Sequence, residues 1–199
     1  LAVLPFANQS GDSDQDYLSM GLTNEIASEL ARLQPDRLRV IPRATTMSYH
    51  QSLRGTSRIG SDLGATYFIE GTTARTGKRV EIGVRLVRGS DLTEIWSHHY
   101  ERNQEEIPIV EADVARSIAS EVSLILKPEQ RARLDRRAAI DPEAYEKYLR
   151  GRFFLEKRTE HGLKRAGEEF EAATARAPQY AAAYAGIAGA SILLSYYAY

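Results

Sequence analysis

The sequence predicts an α+β domain followed by an all-α region of helical repeats. Three observations predict it. Residues 1 to 42 read strand, helix, strand; residues 66 to 102 hold three β-type runs separated by turn signals; and from residue 143 onward small and large apolar residues recur at helical spacing. The expected boundaries are 1–126 for the α+β domain, 127–142 for an arginine-rich linker and 143–199 for the helical repeats, one full unit plus the first helix of the next. The α+β part is expected to be a mixed sheet with a parallel β-α-β start, an antiparallel three-strand meander and helices packed on it.

The first element is "LAVLPF", residues 1 to 6, a short apolar run closed by Pro5 and a polar loop, as in a buried strand. The period then changes. Leu18, Leu22, Ile26, Leu30 and Leu33 fall three or four apart, one stripe of an amphipathic helix, with Asn24, Glu25, Ser28 and Arg32 off it. "RLRVIP", residues 37 to 42, predicts a second strand, and this order favours a parallel pair with a right-handed crossover. A short helical patch is expected at "SRIGSDLG", with Gly64 placed to stop it. "TYFIEGTTAR", "RVEIGVRLVR" and "EIWSHHYER" are rich in β-branched and aromatic residues, and "TGK" and "RGSD" supply the turns of the meander. Val80, Ile82, Val84 and Leu86 alternate along the middle strand and mark its core face. Val110, Val114, Ile118, Val122 and Leu126 repeat every four residues and predict a second long helix that covers the sheet.

"KPEQRARLDRRAAIDP", residues 127 to 142, carries clustered arginines between two prolines and reads as a solvated helical linker. Beyond it Ala166, Phe170, Ala173 and Pro178 have the spacing of the second helix of a tetratricopeptide (TPR) unit: small, large, small, then a proline that ends the helix. Gly151, between Tyr148 and Phe154, has the matching part in the first helix, and the turn around "KRTEHG" reads about three residues longer than usual. Tyr184, Ile187 and Ala188 begin the next unit in register, and the array is expected to continue past Tyr199.

Bulk composition excludes several classes of function. A formal net charge of −1 supplies no global field for nucleic acid or an anionic membrane. The absence of cysteine removes disulfides, thiolate metal sites and a cysteine nucleophile. No run of about 18 apolar residues spans a bilayer. The chain opens inside a strand without an initiator methionine or signal peptide, so it is expected to be a piece of a longer protein.

Asp12, Asp14 and Asp16 alternate in a glycine-bearing loop, but a helix-loop-helix calcium site counted from Asp12 would need glycine where Tyr17 stands and glutamate where Thr23 stands. The expectation is a loop in which Asp14 or Asp16 caps the helix; the alternative is a metal-dependent hydrolase using the three aspartates and the histidines. "GTTARTGKR", Gly71 to Arg79, has five residues between its glycines, Arg79 where a phosphate loop has Ser or Thr, and strands on both sides, so it reads as a hairpin. His98 and His99 are adjacent on a strand and point to opposite faces, one expected packed and one exposed. Glu111 and Asp113 fall off the apolar stripe of their helix and read as solvated, and Trp96 reads as sheet core. Arg131, Arg133, Arg136 and Arg137 are diluted by Glu129, Asp135 and Asp141, with no aromatic residues interleaved for base stacking. No catalytic residue, cofactor site or metal site is expected.

Together, "LAVLPFANQSGDSDQDYLSMGLTNEIASELARL", "RVIPRATTMSY", "IGSDLGATYFIEGT" and "IWSHHYERN" resemble the TolB amino-terminal-like domain of bacterial signalling proteins, over residues 1 to about 126. "DPEAYEKYLRGRFFLEKRT" onward resembles the TPR array that usually follows it. Ser13-Asp14 stands where family members more often have a proline and an acidic residue, and Pro42 interrupts a "VIAR"-like run. The resemblance implies a non-enzymatic regulatory or sensory module that follows an effector domain: a winged-helix domain in ToxR-type activators, a class III nucleotide cyclase, or a serine/threonine kinase. It implies protein or peptide segments as partners of the repeat surface, and a small ligand, a partner or a dimer mate for the α+β domain. Tyr148, Arg152, Tyr184 and Ser191 are the expected partner contacts, with inter-helix packing as the competing reading of the two tyrosines. Because TolB-like domains also occur in periplasmic machinery, an envelope assembly factor is the alternative role, and the location, bacterial cytoplasm or periplasm, depends on what precedes Leu1.

Overall fold

The structure, a computed structural model, describes residues 1–33, 36–42, 45–46, 63–124 and 126–197. A mixed sheet holds β1 (Ala2–Val3), β2 (Ala7–Asn8), β3 (Tyr67–Thr76), β4 (Arg79–Arg88) and β5 (Glu94–Asn103). β1 and β2 both pair with β3 in parallel, one after the other along its edge, while β4 and β5 follow antiparallel. Among the described residues the helices are α1 (Asp16–Leu33), α2 (Ile107–Glu121), α3 (Pro128–Ala138), α4 (Pro142–Glu156), α5 (Glu160–Arg176) and α6 (Ala181–Tyr196). The molecule is thus a mixed α+β sheet with several helices, as the sequence predicts in outline.

The opening strand is split by one extra residue. Val3 lies opposite Ile69 and Ala7 opposite Thr72, so the first strand advances four residues while β3 advances three. Pro5, which has no N–H to give, sits in this bulge. The Phe6 amide leaves the ladder and donates instead to Thr23 Oγ1 at 2.9 Å, and the Thr23 hydroxyl donates to the Ser19 carbonyl at 2.7 Å. The Phe6 ring then lies over Gly71, where a Cβ would come within 2.3 Å of it.

The α1 stripe is buried as predicted: Leu18, Leu22, Ile26, Leu30 and Leu33 sit in one cluster with Val80, Ile82, Val84 and Leu86 of the sheet. Each such side chain contributes roughly 1.5 to 3 kcal/mol by leaving water. Three expectations about elements need correction. The predicted strand at 37–42 forms no strand. It keeps a single parallel rung, in which the Leu1 amino group donates to the Arg39 carbonyl and the Ile41 amide to the Leu1 carbonyl, each at 2.9 Å. The second long helix stops at Glu121, short of Leu126, because Ser123 turns to a positive φ of 58° and the Leu124 amide closes back on the Ala119 carbonyl. In the turn around "KRTEHG", residues 157–159 make the connection, and Glu160, His161 and Gly162 already belong to α5. Most of the patch at "SRIGSDLG" lies outside the described residues; Gly64 has the positive φ of 58° suited to its expected stop.

The meander matches its prediction closely. Gly77, at a positive φ of 62°, makes the tight β3–β4 turn, so "GTTARTGKR" is a hairpin. Arginine-rich residues 127–142 are mainly helix α3, with Leu134 buried and Arg116 of α2 paired with Asp135 at 2.6 Å. Helices α4, α5 and α6 pack in succession around Phe170, whose ring is gripped by Gly151 of α4 and Gly186 of α6: a Cβ on either would fall 2.6 Å from it. One buried cluster runs without a break from Leu1 through α1 and α4 to Ala190 of α6.

Candidate partner surface and the seam beneath it

Asn24 and Glu25, which fall off the α1 stripe, lie in a buried polar region of the molecule. Tyr17, Gly21, Asn24 and Glu25 form a second side of α1 that meets α4. Gly21 allows close approach, since a Cβ there would sit 2.8 Å from Leu149. Most buried polar groups in such a seam find partners, and here Asn24 Oδ1 and Arg152 Nε are buried without a hydrogen bond among the described residues while the others are bonded. The Tyr148 hydroxyl donates to Glu25 at 3.0 Å and accepts from Arg152 at 3.2 Å, with the Arg152 guanidinium 3.6 Å from the same carboxylate. Burial, and then the Glu25 charge, push the Tyr148 hydroxyl up to about 12. About two turns earlier on α1 the Tyr17 hydroxyl donates to Glu146 at 2.9 Å and accepts from Arg75 of β3 at 2.6 Å, and the Arg150 guanidinium lies 4.4 Å from the centre of the Tyr17 ring. Tyr17 is likewise pushed up to about 12 by burial and the Glu146 charge. Glu146 is itself half-buried, which opposes ionisation, but hydrogen bonds from Arg150 and Tyr17 outweigh that and hold its carboxyl below the usual value. A third pair joins α4 to α2, where Tyr145 donates to the buried Glu111. Glu111 is therefore not solvated, as its place off the stripe suggested; the α4 tyrosine covers it.

The expected partner residues separate into two groups. Tyr148 is 4% exposed and Arg152 is bound to it, so both are committed to the seam. Tyr184, 50% exposed, and Ser191 stand on the outer side of α6 beside Ile192 and Tyr196, which are 67% and 79% exposed. That helix carries no charged residue, and its open side recurs through Ala181, Tyr184, Ala185, Ala188, Ser191, Ile192, Ser195 and Tyr196 at helical spacing.

The opening loop is structural in a slightly different way from that expected. Gly11 turns the chain at φ 75°, and the cap is Asp12, not Asp14 or Asp16: its carboxylate accepts from the Asp14 amide at 2.9 Å and starts the 3₁₀ turn Ser13–Gln15 that leads into α1. Asp16 accepts from the Asn8 side chain at 2.8 Å, which ties the loop to β2. Among the described residues no group of three His, Asp or Glu side chains is placed to hold a metal ion. Neither central histidine is buried: His98 is exposed on the helix side of β5 with its ring against that of Tyr100, 4.4 Å between centres, and His99 is exposed on the other side. Trp96 is half-buried at the rim of the core. In α3 Arg131 and Arg136 are exposed, and the side chains of Arg133 and Arg137 lie outside the described residues. No helix among the described residues is long and apolar enough to cross a membrane.

Residues 1–120 match the family model described as the HilA/YgeH-like transcriptional regulator, second domain. The chain belongs to that family. A curated relative, "Putative adenylate cyclase 3" of Rhizobium meliloti (strain 1021), is 32% identical over 152 residues, 76% of this chain, and the matched stretch spans 26% of that relative's length. Two solved structures are similar at a lower level. The lipoprotein GNA1162 from Neisseria meningitidis has 20% identity and a TM-score of 0.41, covering 59% of this chain and 94% of that one. The PelC dodecamer from Paraburkholderia phytofirmans has 16% identity and a TM-score of 0.41, covering 62% and 87%. Likeness of this order carries no argument about what this HilA/YgeH-like chain does. The family match and the cyclase relative both agree with a regulatory region of a bacterial signalling protein.

Proposed function

We propose that this chain is a non-enzymatic regulatory and protein-interaction region of a bacterial multidomain signalling protein, and that it modulates an effector domain elsewhere in the same polypeptide. The observation that carries the reading is the match of residues 1–120 to a regulator's second domain. In finer terms, residues 1–126 are a TolB amino-terminal-like domain, 127–142 its linker and 143–199 TPR-type repeats. The packing of Phe170 between Gly151 and Gly186 supports the last assignment, because a large side chain held between small ones on neighbouring helices is how stacked helix pairs close their core. The cyclase relative makes a nucleotide cyclase one effector to test, beside a winged-helix regulator and a kinase. Partner segments dock on α6, with Tyr184 and Ser191 as contacts.

The experiment is deletion of residues 1–199 from the parent protein, with effector output assayed in cells and effector chemistry assayed on the isolated effector domain. Loss of regulation with chemistry intact is expected. Output that still follows its signal after the deletion would remove the regulatory reading. The opening aspartates favour this reading over a metal-dependent hydrolase, since Asp12 caps a turn and Asp16 binds Asn8. An unchanged melting temperature in magnesium, manganese, calcium or zinc is expected, and a rise that Asp14→Ala abolishes would favour the hydrolase.

A further inference from the structure

β5 is the last strand of the sheet, ten residues long and free of proline, and among the described residues nothing pairs with its outer edge. The register tells which backbone groups face outward. The Gln104 amide donates to the Lys78 carbonyl at 2.9 Å, and the same pairing continues through Tyr100 opposite Ile82 and His98 opposite Val84. Bonded positions alternate along an antiparallel strand, so the even-numbered residues from Trp96 to Gln104 turn their N–H and C=O groups to β4, up to the register shift at Ile95. Ser97, His99, Glu101 and Asn103 therefore turn theirs to the open edge, where the Asn103 amide already donates to the Glu106 carboxylate at 3.0 Å and the Glu101 carbonyl accepts from Arg102 at 2.9 Å. Such a row is a template for another strand.

We propose that this edge pairs with the same edge of a second copy of the chain, antiparallel about a two-fold axis through His99. Two-fold pairing must join odd-numbered residues to odd-numbered ones, and centring on His99 uses the whole outward row. His99 meets the partner's His99, Ser97 meets the partner's Glu101, and Asn103 reaches the level of the partner's Ile95. The side chains brought opposite one another are complementary. On the helix side, Arg102 faces the partner's Trp96, whose ring lies half-open at the rim of the core, and His98 faces the partner's Tyr100. On the other side the Ser97 hydroxyl, which now donates to Glu94 at 2.5 Å, can donate to the partner's Glu101 carboxylate. Each of these pairs occurs twice by symmetry. In the single chain Arg102 holds an exposed contact to Glu106 at 3.7 Å and donates to the Glu101 carbonyl at 2.9 Å, and both are released when it turns to the partner. The inference stands apart from the regulatory reading, since it rests on the strand register and the side chains along this edge.

Its test uses sedimentation of the 199-residue chain from micromolar to about 100 µM, a range suited to an interface of modest size. A concentration-dependent dimer is expected. His99→Pro should leave it monomeric with an unchanged circular dichroism spectrum, because the amide removed points to solvent in the single chain. Arg102→Glu should weaken dimerisation at least tenfold. The chain has no cysteine, so His99→Cys gives one thiol per copy, and mild oxidation should link two chains. Residues facing each other in a bonded pair have Cα atoms about 5.5 Å apart, within reach of a disulfide. Ser97→Cys should not cross-link. A chain that stays monomeric throughout, or whose edge takes up only a strand of another protein, would overturn the proposal. So would a dimer that survives His99→Pro and is lost in Ile192→Glu, because that contact lies on α6.

Discussion

Phe6 and Gly71 are a matched pair in which a large ring fills the space that a missing side chain leaves. Gly71→Ala is expected to destabilise the fold by about 1 to 3 kcal/mol through overpacking, read as a lower urea midpoint with an unchanged slope. The sequence hinted at none of this, since Gly71 reads as an ordinary strand residue and its constraint is a ring 65 positions earlier in the chain, held by a bulge. Glu146 gives a second prediction at this scale. Its folded pKa lies below the usual 4.5, so its stabilising bonds to Tyr17 and Arg150 are fully present above that value and are lost as pH falls through the folded pKa. The stability gap between the parent chain and Glu146→Gln should therefore be present at pH 7 and shrink towards pH 3 in parallel denaturation series. A gap that holds constant with pH would show that Glu146 acts through packing and not through charge.

Among the elements, those with strong periods were legible and those set by tertiary contact were not. The apolar stripe of α1 and the alternation in β4 each name their buried face, because one helix turn or one strand pleat fixes the period. The segment at 37–42 is as apolar as a strand, yet only one rung forms, so its composition promised a ladder that the backbone does not complete. Val122 and Leu126 keep the four-residue spacing of α2, but a left-handed Ser123 ends the helix, and serine is not a residue whose presence announces such a turn. Helix α4 offers a cleaner test. Asp141 caps it by accepting from the Ala144 amide at 2.9 Å, and that bond, more than the neighbouring Arg176, holds the carboxyl below its usual range. Asp141→Ala should cost about 1 kcal/mol at neutral pH, and Asp141→Asn much less, as asparagine also caps well. Equal losses would mean that the charge matters and the cap does not.

Across the whole molecule, the α+β part and the later helices share one buried cluster and a row of tyrosine–carboxylate bonds. The full chain is expected to unfold in a single calorimetric transition, and Tyr145→Phe with Tyr148→Phe to lower its midpoint by several degrees, since each lost hydroxyl leaves a buried carboxylate short of a donor. Two separate transitions in the parent chain would show that the seam is too weak to couple the parts. The sequence announced two kinds of composition but not this joint, because Glu25 and Glu111 look solvated on any helical wheel that considers one neighbour at a time. What the wheel could not show is that α1 is pressed from both sides, by the sheet and by α4. A close-packed interior yields little volume, so a push on α4 from outside cannot be absorbed between the layers. A load applied at the far end of the helical stack is thereby delivered to the central strands, as by a rod set firmly in its socket.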